Sequence, residues 1–299
     1  MQLRLAVIGF GKLGMACIQA MASDEQVVLG GVVRQNPASS LPSPFDKYPS
    51  VGHITELGQV DAALICVPTE HVIGAAHDLL QHNIPIVECA SLHGEAFEDH
   101  FREIDRIATR HKVAAVVGAG WDPGALSLFR GLFALVSPKG YTDITHRPGV
   151  NLHHTTMARA IPGVREALAT ELRNSKGNIQ RFVYVQLEKG IDSQQVMAAI
   201  RNDPLYLNEE TQVITVDDIS RLEQEVEGVV MERRGISGTT AHQLLLLEAR
   251  ASETALAAAV MVAAARTLQT RGRRAHSLFE LPLSALWGQL HEEARAEWI

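Results

Sequence analysis

Three glycines carry the first sign of chemistry. Gly9-x-Gly11-x-x-Gly14 follows the apolar run of residues 3–8 directly and opens residues 12–21, whose apolar positions recur at helical spacing. A strand, tight turn and helix spaced in this way cradle a pyrophosphate. Gly9 permits the sharp turn, Gly11 lets phosphate approach the backbone, and Gly14 lets helix and strand pack closely. The N–H groups at the start of the helix, around Lys12 and Leu13, then face the anion. The alternative is a chance glycine cluster in a flavodoxin-like sheet. About twenty residues beyond Gly14, a carboxylate would select a free ribose 2′-hydroxyl. This chain has Arg34 there, whose guanidinium can grip a 2′-phosphate bidentately or simply be solvated at a strand end. The phosphate role points to NADP(H), although Gln35 follows rather than a second basic residue.

Pro68 and Thr69 end the run of residues 62–67, and in an open parallel sheet ligands lie beyond the carboxyl ends of strands. They are expected on the nicotinamide side, while Thr69 could equally cap the helix that follows. Further along stands Gly118-Ala119-Gly120-Trp121-Asp122-Pro123-Gly124. Beside a nicotinamide, the Asp122 carboxylate would hold an ammonium group and orient its carbon for hydride loss. Asp-Pro is also an ordinary helix start, with Asp as cap and Pro in the first turn. Trp121 could wall a pocket or fill a core.

Other residue types exclude chemistry. His146, His153 and His154 invite a metal, but adjacent histidines on an extended segment point to opposite faces, and no Asp/Cys pattern accompanies them. No metal is expected. Cys89, at the end of a strand, is read as structural rather than nucleophilic. A sugar or polyol oxidoreductase would carry lysine in a Glu-Lys-Pro run where this chain has Glu88-Cys89-Ala90. Lys12, Lys47, Lys112, Lys139, Lys176 and Lys189 stand mostly in helix or turn contexts.

The elements that must position these groups follow from patterning. Apolar runs at residues 27–33, 62–67, 84–88 and 113–117 alternate with helical spacing at 70–81 and 95–111, which implies a parallel sheet covered on both faces. Residues 37–49 are rich in Ser and Pro and read as a loop. After a helix at 125–136 the pattern becomes alternating: 141–147, 182–188, 212–216, 228–234 and 243–251, with a helix at 193–201. The fold class is α/β: a doubly wound Rossmann-type parallel sheet plus a second α+β domain with a mixed or antiparallel sheet. The first domain spans residues 1–120 and is completed by 252–299, including an apolar helix at 253–269; the second spans 121–251. The 299 residues suit two domains, and the longest apolar stretch, 255–265, is too short for a bilayer span. A net charge of −7 without a basic stripe excludes a nucleic-acid partner. The three scattered cysteines, with no CxxC pair, fit a reducing cytoplasm.

Residues 9–14, the GAGWDPG segment, Pro148-Gly149 … His154 … Ile161-Pro162-Gly163-Val164, Gly228-Val229-Val230-Met231-Glu232-Arg233 and residues 257–264 together resemble the meso-diaminopimelate dehydrogenase family, in its shorter, thermophile-type branch. The similarity covers nearly the whole chain, and GWDPG is its most specific marker. The resemblance implies a homodimeric NADP-dependent enzyme with a cleft between its domains. Its reaction would take hydride from an amine-bearing carbon to nicotinamide C4 and hydrolyse the imine to a keto acid and ammonia; reductive amination is the reverse. Trp121 and Asp122 would then surround the reacting centre, Arg181 would bind a distal carboxylate, and His154 is the family's histidine after Pro-Gly.

The departures concern the substrate. Glu88-Cys89-Ala90-Ser91 replaces an Asp-x-Tyr-Asp segment, His146-Arg147 replaces Phe-Gly, Glu171 replaces a threonine and Glu227 a histidine. The expected substrate contacts are therefore Glu88, Ser91, Arg147, His154, Glu171, Arg181 and Glu227. Carboxylates near the distal end would repel diaminopimelate, unless Arg147 and Arg181 neutralise them, so the expectation is an amino acid with a neutral or basic tail. A non-catalytic NADP(H)-sensing protein is the alternative from another class.

Overall fold

Apolar runs without alternation need cover on both faces, and the first half of the chain supplies it. In order come β1 (Leu3–Ile8), α1 (Lys12–Ala22), β2 (Val27–Val33), β3 (Ser50–Val51), β4 (Ala62–Ile65), α2 (Thr69–Gln81), β5 (Ile86–Glu88), α3 (Gly94–His111), β6 (Ala115–Val117) and α4 (Ala125–Val136). The computed structural model describes residues 2–37, 40–147, 152–173, 179–207, 210–223, 228–250, 252–288, 293 and 295–297. The chain divides into two units, Met1–Leu135 with Glu253–Ile299, and Val136–Ser252. The first unit continues to residue 135 rather than ending at 120, because α4 buries Leu126 completely and packs Leu128 onto the sheet's core.

The second unit begins with β7 (Lys139–Arg147), α5 (Leu152–Arg159), β8 (Val164–Arg173) and β9 (Ile179–Leu187). It continues through α6 (Ser193–Asn202), β10 (Glu210–Thr215), α7 (Ile219–Glu223), β11 (Gly228–Ser237) and β12 (Thr240–Arg250). Its two three-stranded sheets differ. In one, β9 pairs antiparallel with β8 and parallel with β10; in the other, β11 lies antiparallel between β7 and β12. Ala167, Ala169, Val183, Val185 and Val213 of the mixed sheet pack with Val196 and Ile200 of α6 and with Ala158 of α5. The strand β8 escapes sequence patterning: Glu-Ala-Leu-Ala-Thr-Glu-Leu is built from helix formers, and burial of Ala167 to Thr170 against β9 overrides that preference. Residues 152–159 are helical rather than extended, so His153 and His154 do not alternate across a strand.

The chain then returns through α8 (Glu253–Thr267), β13 (Ala275–Ser277) and α9 (Leu283–Trp287), which complete the first unit. Its seven-stranded sheet runs β13-β6-β5-β4-β1-β2-β3, parallel at every pairing. Sequence order reverses between β1 and β4, the switch point at which a doubly wound sheet opens a crevice. Ala258, Met261, Val262 and Ala265 of α8 join α1's Cys17, Ile18 and Met21 on one face; Val72, Ala76, Ile104 and Ile107 of α2 and α3 cover the other. Among the described residues no helix is long and apolar enough to cross a membrane.

Candidate active site

The glycine turn has a divided logic. Gly9 adopts φ +97°, and a Cβ there would lie 2.6 Å from the Cys66 carbonyl oxygen; on Gly14 it would lie 2.3 Å from the Gly9 carbonyl oxygen. Those two glycines are demanded by the protein's own packing. A Cβ on Gly11 would meet no atom within 4 Å, so nothing among the described residues explains that glycine. Gly11 is the N-cap of α1 and brings no side-chain acceptor, so the amides of Lys12 and Leu13 meet no cap there. This is the arrangement that a phosphate oxygen completes.

Arg34 leaves the carboxyl end of β2, half-buried, with its guanidinium carbon 6.0 Å from the centre of the Phe10 ring in the glycine turn. Its Nε donates to Ser50 Oγ at 2.7 Å, and its backbone N–H donates to the Val51 carbonyl. Sequence reasoning found Arg34 but not Ser50, because a two-residue strand leaves no periodic signal. Pro68, not Thr69, caps α2. Thr69 opens the helix, and its hydroxyl oxygen accepts from the Ser91 N–H at 3.3 Å, tying the end of β4 to the segment after β5.

Glu88 corrects an expectation. It is fully buried at the end of β5, out of reach of a substrate. One carboxylate oxygen accepts from the Ala90 N–H at 2.6 Å and the other from the Gly118 N–H at 2.8 Å. His100 Nε2 of α3 lies 3.4 Å away. The carboxylate therefore organises the loop after β6 rather than binding ligand. Its neighbour Cys89 is held protonated: burial, then the Glu88 charge, push the thiol well above its ordinary range. That is no environment for a thiolate nucleophile.

The loop that Glu88 holds is wound tightly enough to require its glycines. Gly118 has φ +70°, and a Cβ there would strike the Phe97 ring at 2.7 Å. A Cβ on Gly124, φ +146°, would lie 1.9 Å from the Gly120 carbonyl oxygen. Gly120 N–H donates to the Pro123 carbonyl, and Ala125 N–H donates back to Gly120. Trp121 is buried within this loop at 9% exposure. Asp122 does not cap α4. Its two oxygens accept from the two terminal nitrogens of Arg130, at 3.0 and 3.2 Å, with the carboxylate side chain 11% exposed. Sequence reasoning missed Arg130; the signal was its place on α4, two turns beyond the loop. A cavity of about 490 Å³ lies on the Arg130 side of the loop, lined by Phe97, Gly118, Gly124, Arg130 and Phe279 among others, but not by Trp121 or Asp122.

In the second unit, His154 is buried, its ring edge-on to Tyr206 at 5.3 Å, with its carbonyl accepting from the Tyr206 hydroxyl at 2.6 Å. It helps to fill this unit's core. Arg181 is 1% exposed, and the β8–β9 register sets it directly opposite Glu171. Glu227 lies outside the described residues, as do the side chains of Arg147 and Glu171; their backbones lie in β7 and β8.

No model of a protein family matches the chain. Among individual proteins, a meso-diaminopimelate D-dehydrogenase of Bacteroides fragilis is 33% identical over 298 residues, covering all of this chain and 98% of that one. The chain belongs to the meso-diaminopimelate dehydrogenase family. A second relative of the same name, from Acetivibrio thermocellus, is 24% identical over 324 residues, 98% of this chain and 97% of its own. The fold is that of solved members. The Corynebacterium glutamicum diaminopimelate dehydrogenase in complex with diaminopimelate superposes with TM-score 0.66 at 20% identity, over 100% of this chain and 99% of the other. An engineered D-amino acid dehydrogenase bound to NADP⁺ gives 0.64 at 19%, with full coverage of both. In this diaminopimelate dehydrogenase family member the glycine turn and the GWDPG loop both fall within the described residues.

Proposed function

We propose that the protein is an NADP(H)-dependent amino acid dehydrogenase of the diaminopimelate dehydrogenase type, acting on a CH–NH₂ donor. The observation that carries this is Gly11: a glycine with open space beside it, at an uncapped helix start, with Arg34 next to the turn and family membership over the whole chain. Gly9, Gly11, Lys12, Leu13 and Gly14 would seat the pyrophosphate, Arg34 with Ser50 the 2′-phosphate, and Pro68 and Thr69 the nicotinamide side. When bound, the cofactor supplies the hydride acceptor. The chain's part is to fix the amine-bearing carbon, through Asp122 held by Arg130 and beside Trp121, and to exclude water there. Glu88 and Ser91 act on this site by positioning its loops.

The distal selectivity is proposed to differ from that toward diaminopimelate. Glu171, which stands in place of the family's threonine, lies opposite the buried Arg181 in the β8–β9 register, and a carboxylate at that position would repel the distal carboxylate of diaminopimelate. Arg147 and Glu227 stay as proposed substrate-side residues, whereas His154, buried against Tyr206, is assigned to the core. A homodimer through the second unit is supported by Leu244 and Leu246 of β12, 59% and 60% exposed, and by Tyr141 of β7 at 62%. Three free cysteines suit a cytoplasmic location.

The test is purified protein with NADP⁺ and a panel of D- and L-amino acids including meso-diaminopimelate, followed at the nicotinamide absorbance. Turnover with an amino acid is expected, with a neutral or basic side chain preferred, and Asp122→Asn should lower kcat/KM by about 100-fold or more. Cofactor binding without turnover on any amino acid, or on any keto acid with ammonia, would refute the catalytic reading. Diaminopimelate as the best substrate would refute only the shift.

A further inference from the structure

On the surface of the first unit His53, Asp78 and His82 converge. A ligand atom from each lies within 4.8 Å of the other two. Asp78 lies in the last turn of α2 and His82 is the residue that caps that helix, four positions on, a spacing that brings two side chains together. His53 comes from a different place, immediately before the single 3₁₀ turn Ile54–Leu57. The fold thus brings together residues 25 positions apart, with the two imidazole rings edge-on at 5.1 Å between centres.

The hydrogen bonds around the three groups hold them in place. His82 Nδ1 sits 2.7 Å from the Asp78 carbonyl, a group that only accepts, so this nitrogen carries the proton and Nε2 keeps its lone pair. His53 Nδ1 accepts from the Thr55 N–H at 3.4 Å and lies 2.8 Å from Thr55 Oγ1, so its Nε2–H points to Asp78 at 3.3 Å, and a metal ion would take the place of that proton. Gln81 Nε2 donates to Asp78 Oδ1 at 3.2 Å and steadies the carboxylate. Two imidazoles and a carboxylate are the donors that borderline divalent ions prefer, whereas magnesium and calcium take oxygen alone. All three side chains are at least partly exposed, so small rotamer changes can close the triangle to bonding distance.

We propose that His53, Asp78 and His82 form a surface site for a zinc-class divalent ion, with solvent completing a tetrahedral shell and the ion clamping the 3₁₀ turn to α2. Zinc titrated into the metal-free full chain against a chromogenic chelator tests this. One equivalent should bind at micromolar dissociation constant or tighter, and excess magnesium should not displace it. His82→Ala, and His53→Asn, which keeps a capping oxygen, should each weaken binding by about 10-fold or more. His77→Ala, on the same helix beside His111, should leave it unchanged. The melting temperature should rise with zinc in the parent and not in His82→Ala. Failure to take up zinc at micromolar concentration, or equal affinity in both site variants, overturns the proposal. Should His82→Ala fold poorly by circular dichroism, Asp78→Asn decides on the same criterion.

Discussion

Gly11→Ala and Gly14→Ala change the same residue type three positions apart and should fail in opposite ways. On Gly14 the new Cβ would sit 2.3 Å from the Gly9 carbonyl oxygen, which is backbone and cannot swing aside. Overpacking of this kind costs about 1–3 kcal/mol. At roughly 2–4 °C per kcal/mol for a unit of this size, Gly14→Ala should melt about 2–12 °C below the parent. On Gly11 the Cβ meets no protein atom within 4 Å, and the residue has an ordinary negative φ of −89°. Exchanging one N-cap residue without a capping side chain for another costs about 1 kcal/mol or less, so Gly11→Ala should fold nearly as stably as the parent. Its methyl group should instead hold the pyrophosphate off the helix amides. Each charge-assisted hydrogen bond lost is about 1.5–3 kcal/mol, so NADP⁺ affinity should fall by roughly 10- to 150-fold per bond. Thermal denaturation and calorimetric NADP⁺ titration of both variants decide the matter. Parental NADP⁺ affinity in Gly11→Ala would show that the space beside it serves some other end, and the cofactor assignment would go with it.

Arg34→Glu should weaken NADP⁺ binding by about 30-fold or more while sparing NAD⁺, because a carboxylate repels a 2′-phosphate and accepts from a 2′-hydroxyl; equal losses for both cofactors in parallel titrations would count against the phosphate role. Glu88→Gln leaves one accepting oxygen for two buried backbone donors, Ala90 and Gly118, and should cost about 2–4 kcal/mol, or roughly 5–15 °C in melting temperature. Cys89→Ser should retain turnover, and thiol-modifying reagents at pH 8 should react with Cys89 more slowly than with an exposed cysteine, since burial and the Glu88 charge keep it protonated. Leu244→Asp with Leu246→Asp should convert a dimer to monomers in sedimentation without lowering the melting temperature of the first unit; an unchanged mass would remove β12 from the interface.

What the sequence made legible is local. Strand, turn and helix are contiguous over residues 3–22, so the glycine spacing and the apolar runs could be read together, and the structure follows them closely. The role of Glu88 was not legible in the same way. Its partners are the backbone of Gly118, thirty residues away, and His100 on α3, and no pattern in the chain marks a carboxylate that will be buried rather than offered to a ligand. Asp122 shows the same limit at shorter range. Asp-Pro ahead of an apolar run predicts a cap, but the loop closes on Gly120 and Gly124 first, and the carboxylate is taken by Arg130. In the second unit, β8 was hidden because its residues favour helix, and only pairing with β9 makes it a strand.

The parallel sheet also gives the proposed ligand contacts an order. Every strand of the first unit points the same way, so the segments after β2, β1, β4, β5 and β6 emerge along one edge in the order in which those strands lie side by side. Along that edge come Arg34, the glycine turn, Pro68 and Thr69, then Glu88 to Ser91, then the loop with Trp121 and Asp122. The chemical order of an extended NADP molecule and its reaction partner is 2′-phosphate, pyrophosphate, nicotinamide, amine-bearing carbon. The two sequences coincide. At about 4.8 Å between neighbouring strands, β2 to β6 spans roughly 19 Å. The edge is also stitched together crosswise: Cys66 N–H to Ile8, Ser91 N–H to Thr69 Oγ1, and Gly118 and Ala119 N–H to Glu88. Loosening one stitch should therefore be felt at its neighbours. Glu88→Gln, which touches neither ligand, should lower turnover through Asp122 while leaving the affinity set by the glycine turn, two strands away, close to that of the parent.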